Sequence, residues 1–403
     1  MKSRSRLSKG VSPDTRCTLL VTPWDPRTPG GVTTAVTNLH DSIATIRGWT
    51  ACLLVNSWDN RRPVESGVDG RSVVYAQIRA PHAKGARVQA MILFWLWFPM
   101  AAIRWRRFIS RNRIELINVH YPDESAFFWA LMKRLRLFRG AVVLSFHGAD
   151  IAEIVGGRKP GTRLLWHLIA NYCTALTACS RTLAEDLRSL FPAVCGKTHV
   201  VMNGVDALRI VAEAAGTPSD DVRPRSRYIA CISGFERKKG LDVLLDAFSS
   251  VAREDPNIHL VLICRAGPDI QGVRARLSEP PYLERVTMLV NCPHDKAMSV
   301  LAAAEALVVP SRREPFGIVT LEAAALARPV VLTAVCGVLE LIDPALVTVV
   351  PADDAARLAA AILRLLSDPE EAWTQGQRLR VSLQDRAGWS RAAAELLSAA
   401  SLS

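Results

Sequence analysis

Two carboxylates bracket a glycine in Glu314-Pro315-Phe316-Gly317-Ile318-Val319-Thr320-Leu321-Glu322. The segment follows an apolar run, Ala306–Val309, and a loop, Pro310-Ser311-Arg312-Arg313. That order predicts a strand, a loop and a helix that starts near Phe316 or Gly317 and runs to about Ala327. The first amides of such a helix have no carbonyl partner within it, and at the carboxyl edge of an α/β sheet they can meet an anion. Carboxylates on both sides of that helix end do not suit a phosphate alone. They suit hydroxyls on either side of it, a sugar against one and a ribose cis-diol against the other.

A second segment supplies cations. Ser233-Gly234-Phe235-Glu236-Arg237-Lys238-Lys239-Gly240 lies between a predicted strand, Tyr228–Ile232, and a helix from Leu241. Strand, glycine turn, basic cluster and helix start make a phosphate cradle. The chain has no Asp-x-Asp pair, so the usual carboxylate clamp for a metal-bound diphosphate is missing. A diphosphate here would be met by cations and backbone amides, and neither a metal nor a cofactor is expected. There is no G-x-G-x-x-G, and Gly156-x4-Gly161 is followed by Thr162 where a P-loop needs Lys.

The elements that must carry these loops are legible as short Val/Ile/Leu runs separated by helix-like stretches. In the first half the predicted strands are Thr18–Thr22, Thr50–Val55, Val73–Ile78, Leu116–His120, Ala141–Phe146, Ala175–Ala178 and His199–Met202. In the second they are Tyr228–Ile232, His259–Cys264, Val286–Val290, Ala306–Val309, Val330–Leu332 and Val347–Val350. Continuous apolar strands between helices imply parallel sheets covered on both faces. Two such series predict an α/β chain of two Rossmann-like domains, 1–205 and 206–384, facing across a cleft. The polar stretch Glu213–Arg227 reads as linker. A last helix within 385–403 could close the second domain or cross back to the first.

Charge divides the halves. Of 50 Lys and Arg, 28 fall in residues 1–200 beside 13 acids, a net of +15; residues 201–403 hold 22 against 25, a net of −3. The overall +12 therefore belongs to the first half, which points to an anionic partner there. Nine scattered cysteines without a C-x-x-C pair fit reduced thiols in a cytosolic core. Met1–Arg16 is basic but is followed by no long apolar segment, so no signal peptide is expected.

Residues 79–140 hold 12 Lys and Arg and three acids. Among them lie Leu93-Phe94-Trp95-Leu96-Trp97-Phe98, Arg104-Trp105-Arg106-Arg107-Phe108 and Lys133-Arg134-Leu135-Arg136-Leu137-Phe138-Arg139. The longest apolar run, Met91–Ile103, has 13 residues and contains Pro99, short of the roughly 20 needed to span a bilayer. Aromatics beside arginines suit an anionic membrane surface instead. No nucleic-acid recognition motif offers a rival reading of the charge.

Taken together, these motifs resemble retaining glycosyltransferases of family 4, with the two-domain GT-B fold. Glu314 and Glu322 match the family's Glu-x7-Glu signature. Lys239-Gly240, Asn203-Gly204-Val205-Asp206, His147-Gly148-Ala149-Asp150 and Pro29-Gly30-Gly31-Val32 stand in the family's order. The resemblance implies that Glu314 binds hexose hydroxyls, Glu322 the nucleotide ribose and Lys239 the diphosphate. It implies a phosphate on the amides of Gly317 and Ile318, beside Phe316, and close approach of the diphosphate to Gly30 and Gly31. His147 would face the sugar or the acceptor, with Asp150 on the acceptor side or serving as a helix cap. The family usually has Arg where Gly234 stands, and Arg237 is the nearby candidate to replace it. Asn291 stands where the family commonly has Gly.

The function this implies is metal-independent hexosyl transfer with retention, from a UDP- or GDP-sugar to a glycan or lipid-linked acceptor. Cell-envelope polysaccharide or glycolipid synthesis is the expected setting, in the cytoplasm or peripheral on the inner face of its membrane. A nucleotide-sugar epimerase or hydrolase is the competing class.

Overall fold

The computed structural model describes residues 15–81, 87–156, 160–216, 227–282, 284–383 and 386–401. The chain divides into two compact units. The first comprises the described parts of Met1–Thr28, Val32–Met202 and Trp389–Ser403, and the second Pro29–Gly31 and Asn203–Gly388.

The first unit is built on eight strands: β1 (Arg16–Thr22), β2 (Trp49–Asn56), β3 (Val64–Val68), β4 (Arg71–Ala76), β5 (Ile114–His120), β6 (Ala141–Phe146), β7 (Ala175–Ala178) and β8 (Thr198–Val200). Their order in the sheet is β3-β4-β2-β1-β5-β6-β7-β8. All pairs are parallel except the β3–β4 hairpin. The helices are α1 (Gly31–Thr45), α2 (Arg87–Arg111), α3 (Ala126–Arg134), α4 (Ala149–Gly156), α5 (Pro160–Tyr172) and α6 (Arg181–Leu190). Strand interiors such as Leu19, Leu53, Ile117 and Leu144 are fully buried, as expected of parallel strands covered on both faces.

The second unit has six parallel strands: β9 (Tyr228–Gly234), β10 (His259–Arg265), β11 (Val286–Val290), β12 (Leu307–Val309), β13 (Val330–Thr333) and β14 (Thr348–Val350). Its helices are α7 (Ala207–Ala214), α8 (Leu241–Glu254), α9 (Ile270–Leu277), α10 (His294–Ala302), α11 (Ile318–Ala325), α12 (Ala355–Ser367) and α13 (Pro369–Ser382). The strand order β11-β10-β9-β12-β13-β14 is the doubly wound Rossmann order, and it reverses direction between β9 and β12. Phe235, Leu244, Phe248 and Val251 fill the core with Leu260, Leu262, Leu358 and Ile362. Asp206, Asp354 and Asp368 cap α7, α12 and α13, each accepting from the amide three residues on. The last helix, α14 (Trp389–Ser401), packs on β6 and β7 of the first unit.

All thirteen predicted strands are present, and the Rossmann-like character of both units stands. Three details differ. β3 was not expected, because Val64-Glu65-Ser66-Gly67-Val68 is half polar and pairs only along one edge. The helix after Glu314 starts at Ile318 and ends at Ala325, because Gly317 and Ala327 both adopt left-handed backbone, with φ of 96° and 54°. Glu213 belongs to helix α7 and not to a linker; Arg209 and His294 hold its carboxylate. Residues 217–226 of that predicted linker lie outside the described residues.

Candidate active site

In the second unit the loops after β9 and β12 flank the point where the strand order reverses, the usual ligand position in such a sheet. The β9 loop forms a single 3-10 turn, Arg237–Lys239, and Gly240 then enters α8 with a left-handed φ of 68°. A Cβ at Gly240 would lie 2.1 Å from the Pro310 carbonyl oxygen, so only glycine lets the two loops approach. The Arg312 and Arg313 amides donate to the Lys238 carbonyl at 2.8 and 3.2 Å. The Arg312 guanidinium donates twice to Asp242, at 2.7 and 2.8 Å, and also to Asp353 and the Arg237 carbonyl.

This fastening brings two predicted residues together. Lys239 Nζ donates to Glu314 Oε2 at 2.6 Å, and Ser311 Oγ reaches the same oxygen at 3.4 Å. Burial alone would lower the Lys239 pKa, but the Glu314 charge and hydrogen bond reverse that and raise it above the ordinary value. The lysine is therefore a fixed cation. Glu314 is held from behind as well, its carbonyl accepting from Gly337 at 3.0 Å. Phe316 is buried and its carbonyl accepts from Val338 at 2.8 Å, so its ring belongs to the core and its backbone to the turn. Gly317 sits at the N-cap of α11, and a Cβ there would press on Glu314 Cγ at 3.2 Å. Ile318 opens that helix.

Glu322 lies further along α11 and is 6% exposed. Its Oε1 faces His294 Nε2 at 3.0 Å, and His294 Nδ1 faces Glu213 Oε2 at 2.7 Å. Burial would lower the His294 pKa, but the two carboxylates raise it to about 10, so it is an imidazolium at neutral pH. Glu213 falls to about 2, chiefly through this hydrogen bond. The clamp was not foreseen: nothing local marks His294, whose partners come from helices far away in the sequence.

Gly234 ends β9 and Arg237 opens the 3-10 turn that follows. Arg237 is exposed and makes no side-chain ion pair among the described residues. Arg265, the register partner of Gly234 on β10, instead reaches Glu236 at 3.3 Å. Asn291, with a left-handed φ of 54°, accepts from the Ala266 amide through Oδ1 at 3.0 Å. Among the described residues no cluster of three or more His, Cys, Asp or Glu is arranged to hold a metal.

In the first unit the sheet likewise reverses between β1 and β5. Gly31 opens α1 with Gly30 just before it, both in the short Pro29–Gly31 segment that belongs with the second unit. His147 follows β6, and its Nε2 lies 3.1 Å from Nδ1 of His120 at the end of β5. Burial lowers the pKa of His147 to about 4 and that of His120 well below its ordinary value, so both rings are neutral at pH 7. The buried His120 Nε2 has no partner among the described residues. Asp150 is 1% exposed and accepts from the amides of His147, Gly148 and Ile151 at 2.8, 2.7 and 2.9 Å. Asp150 stands second in α4, past the N-cap position, and its enclosed carboxylate holds the His147 turn.

Residues 29–209 match the family model described as Glycosyltransferase Family 4, and residues 219–380 the one described as Glycosyl transferases group 1. A GDP-mannose-dependent alpha-(1-6)-phosphatidylinositol monomannoside mannosyltransferase of Mycolicibacterium smegmatis is 27% identical over 74% of this chain and 79% of its own length. A glycogen synthase of Mycobacterium tuberculosis is 28% identical over 53% of this chain and 51% of its own, so the chain spans about half of that relative. Among solved structures, sucrose-phosphate synthase from Thermosynechococcus elongatus superposes with a TM-score of 0.73 and 21% identity, covering 95% of this chain and 98% of that one. An Anabaena protein solved in complex with UDP and glucose gives 0.71 at 15% identity, covering 96% and 99%. At these identities the structural matches establish the shared fold.

Proposed function

The chain belongs to the group 1 glycosyltransferases of family 4, and on that premise we propose that it moves a hexose from a UDP- or GDP-sugar to a glycan or glycolipid acceptor, retaining the anomeric configuration. The observation that carries this reading is the Lys239–Glu314 pair beside the N-terminus of α11, at the strand-order reversal of the second unit. Lys239 takes the diphosphate, together with the Gly317 and Ile318 amides. Glu314 accepts from hexose hydroxyls once the sugar competes for it, and the clamped Glu322 accepts from the ribose. Arg237 adds positive charge from the exposed side of the turn, in the absence of a side chain at Gly234.

Retention needs no protein nucleophile in this scheme. The bond from the anomeric carbon to the diphosphate oxygen breaks through an oxocarbenium-like state. The acceptor oxygen bonds on the same face while its proton passes to the departing diphosphate. The protein's share is positioning and neutralising the leaving group, which act through preorganised charge. Neutral His147, held by His120, is suited to donating or accepting a hydrogen bond at a sugar or acceptor hydroxyl. A glycolipid acceptor is supported by the named acceptor of the mannosyltransferase relative and by the basic first half of the chain, and on this reading the reaction belongs to envelope synthesis at an anionic membrane surface. The test is nucleotide release across a panel of UDP- and GDP-sugars, with and without a membrane extract as acceptor. Release that depends on the extract supports transfer; release unaffected by it would indicate hydrolysis.

A further inference from the structure

Helix α2 uses only one of its faces. Phe94, Phe98, Ala101, Ala102, Trp105 and Ile109 are buried. Phe94 stacks near Phe127 at 5.7 Å between ring centroids, Phe98 near Phe128 at 5.7 Å and Trp105 near Trp129 at 4.9 Å, which ties the helix along α3. The opposite face carries Val88, Ile92, Trp95, Leu96, Met100 and Ile103, each half exposed or more, with Leu96 at 72%. Their spacing of three and four residues makes one continuous stripe. One turn beyond Ile103 the stripe continues as the exposed Arg106 and Arg107, followed by exposed Arg111. No acidic residue occurs between residues 79 and 114.

We propose that this face of α2 seats the first unit on an anionic bilayer, with the apolar stripe among the acyl chains and the arginines at the headgroups. The proposal gives the proposed membrane-side acceptor reading its physical contact. By length and composition Val88–Arg111 could cross a membrane, but its face of Phe94, Phe98, Trp105 and Ile109 is packed into the unit, so the helix lies along the surface. A partner must offer apolar depth directly beneath negative charge, because the stripe and the arginines share one face. A second copy presenting the same face offers more arginines and no acids, which disfavours self-association. Trp95, an amphipathic ring within the stripe, suits the boundary between the two layers.

The test is flotation of the full chain with vesicles of phosphatidylcholine, with or without phosphatidylglycerol. The expected result is binding to the anionic vesicles that weakens in high salt. Trp95→Gln/Leu96→Gln/Met100→Gln is expected to lose about tenfold or more in vesicle affinity. Arg106→Glu/Arg107→Glu is expected to lose the anionic preference. All these side chains are exposed, so circular dichroism and Tm should match the parent. Both variants should release nucleotide from a sugar donor to water or a soluble acceptor at the parental rate, which separates this proposal from the donor-site reading. No binding by the parent chain, or undiminished binding by both variants, overturns the proposal. So does a dimer in light scattering that Leu96→Gln abolishes, since the face would then belong to a second copy.

Discussion

His294→Gln tests whether an imidazolium holds Glu322. In the parent both ring nitrogens face carboxylates, Glu213 at 2.7 Å and Glu322 at 3.0 Å. Arg209 from α7 also reaches Glu213, at 2.7 Å. Two charge-assisted hydrogen bonds would each contribute roughly 1.5–3 kcal/mol if fully buried. The His294 side chain is 39% exposed, so solvent screening reduces their sum to about 1–2 kcal/mol. Glutamine can replace one bond but not the charge, leaving a net loss of about 1 kcal/mol, or roughly 0.5 M in a urea midpoint. The pH dependence identifies the cause. His294 has a folded pKa of about 10, above its ordinary 6.5, so its stabilisation is complete below pH 6.5 and disappears as pH rises to about 10. Glu213 has a folded pKa of about 2, below 4.5, so its contribution is complete above pH 4.5 and is lost as pH falls toward 2. The two windows overlap between pH 4.5 and 6.5, where the parent and His294→Gln should differ most. The assay is urea unfolding of both proteins at pH 6 and near pH 10, alongside the donor KM. Equal midpoints at pH 6, or a difference that does not shrink by pH 10, would refute the clamp. If Glu322 holds the donor, the donor KM should also rise with kcat little changed.

Three further outcomes are expected. Gly240→Ala should destabilise the second unit by about 2 kcal/mol or more, through left-handed strain and collision with the Pro310 carbonyl, lowering its Tm; an unchanged Tm would count against the observed loop contact. Arg237→Ala and Arg265→Ala should each raise the donor KM, with Arg265 the larger because Glu236 holds it beside Gly234; steady-state kinetics on both variants decides the order. His147, with a pKa of about 4, should stay neutral from pH 6 to 8, so NMR titration should show its ring beginning to protonate only as pH falls below that range.

Much of this arrangement could be read from the sequence because parallel strands buried on both faces appear as unbroken apolar runs, and because loops that follow such strands collect at one sheet edge. Glu314, Lys239 and the Gly317 turn were legible for that reason. β3 was not, since its edge pairing leaves it half polar, although Asp69-Gly70 supplies a hairpin signal with left-handed φ at both residues. His294 and His120 were not legible either. Their partners are 81, 28 and 27 residues away in sequence, so only the folded topology makes them neighbours. Glu213 is hard to place from sequence because it stands next to last in α7, directly before the polar stretch with Gly216, Pro218 and Pro224.

The central claim is that the Lys239–Glu314 pair and Glu322 form a nucleotide-sugar site. Calorimetric binding and nucleotide release, measured on the parent, Lys239→Ala, Glu314→Ala and Glu322→Ala, test it most directly. The account predicts that the parent binds a UDP- or GDP-sugar and that Glu322→Ala weakens binding. Lys239→Ala and Glu314→Ala should lower turnover by about a hundredfold or more with the fold intact. Parental binding and turnover in all three variants would contradict it.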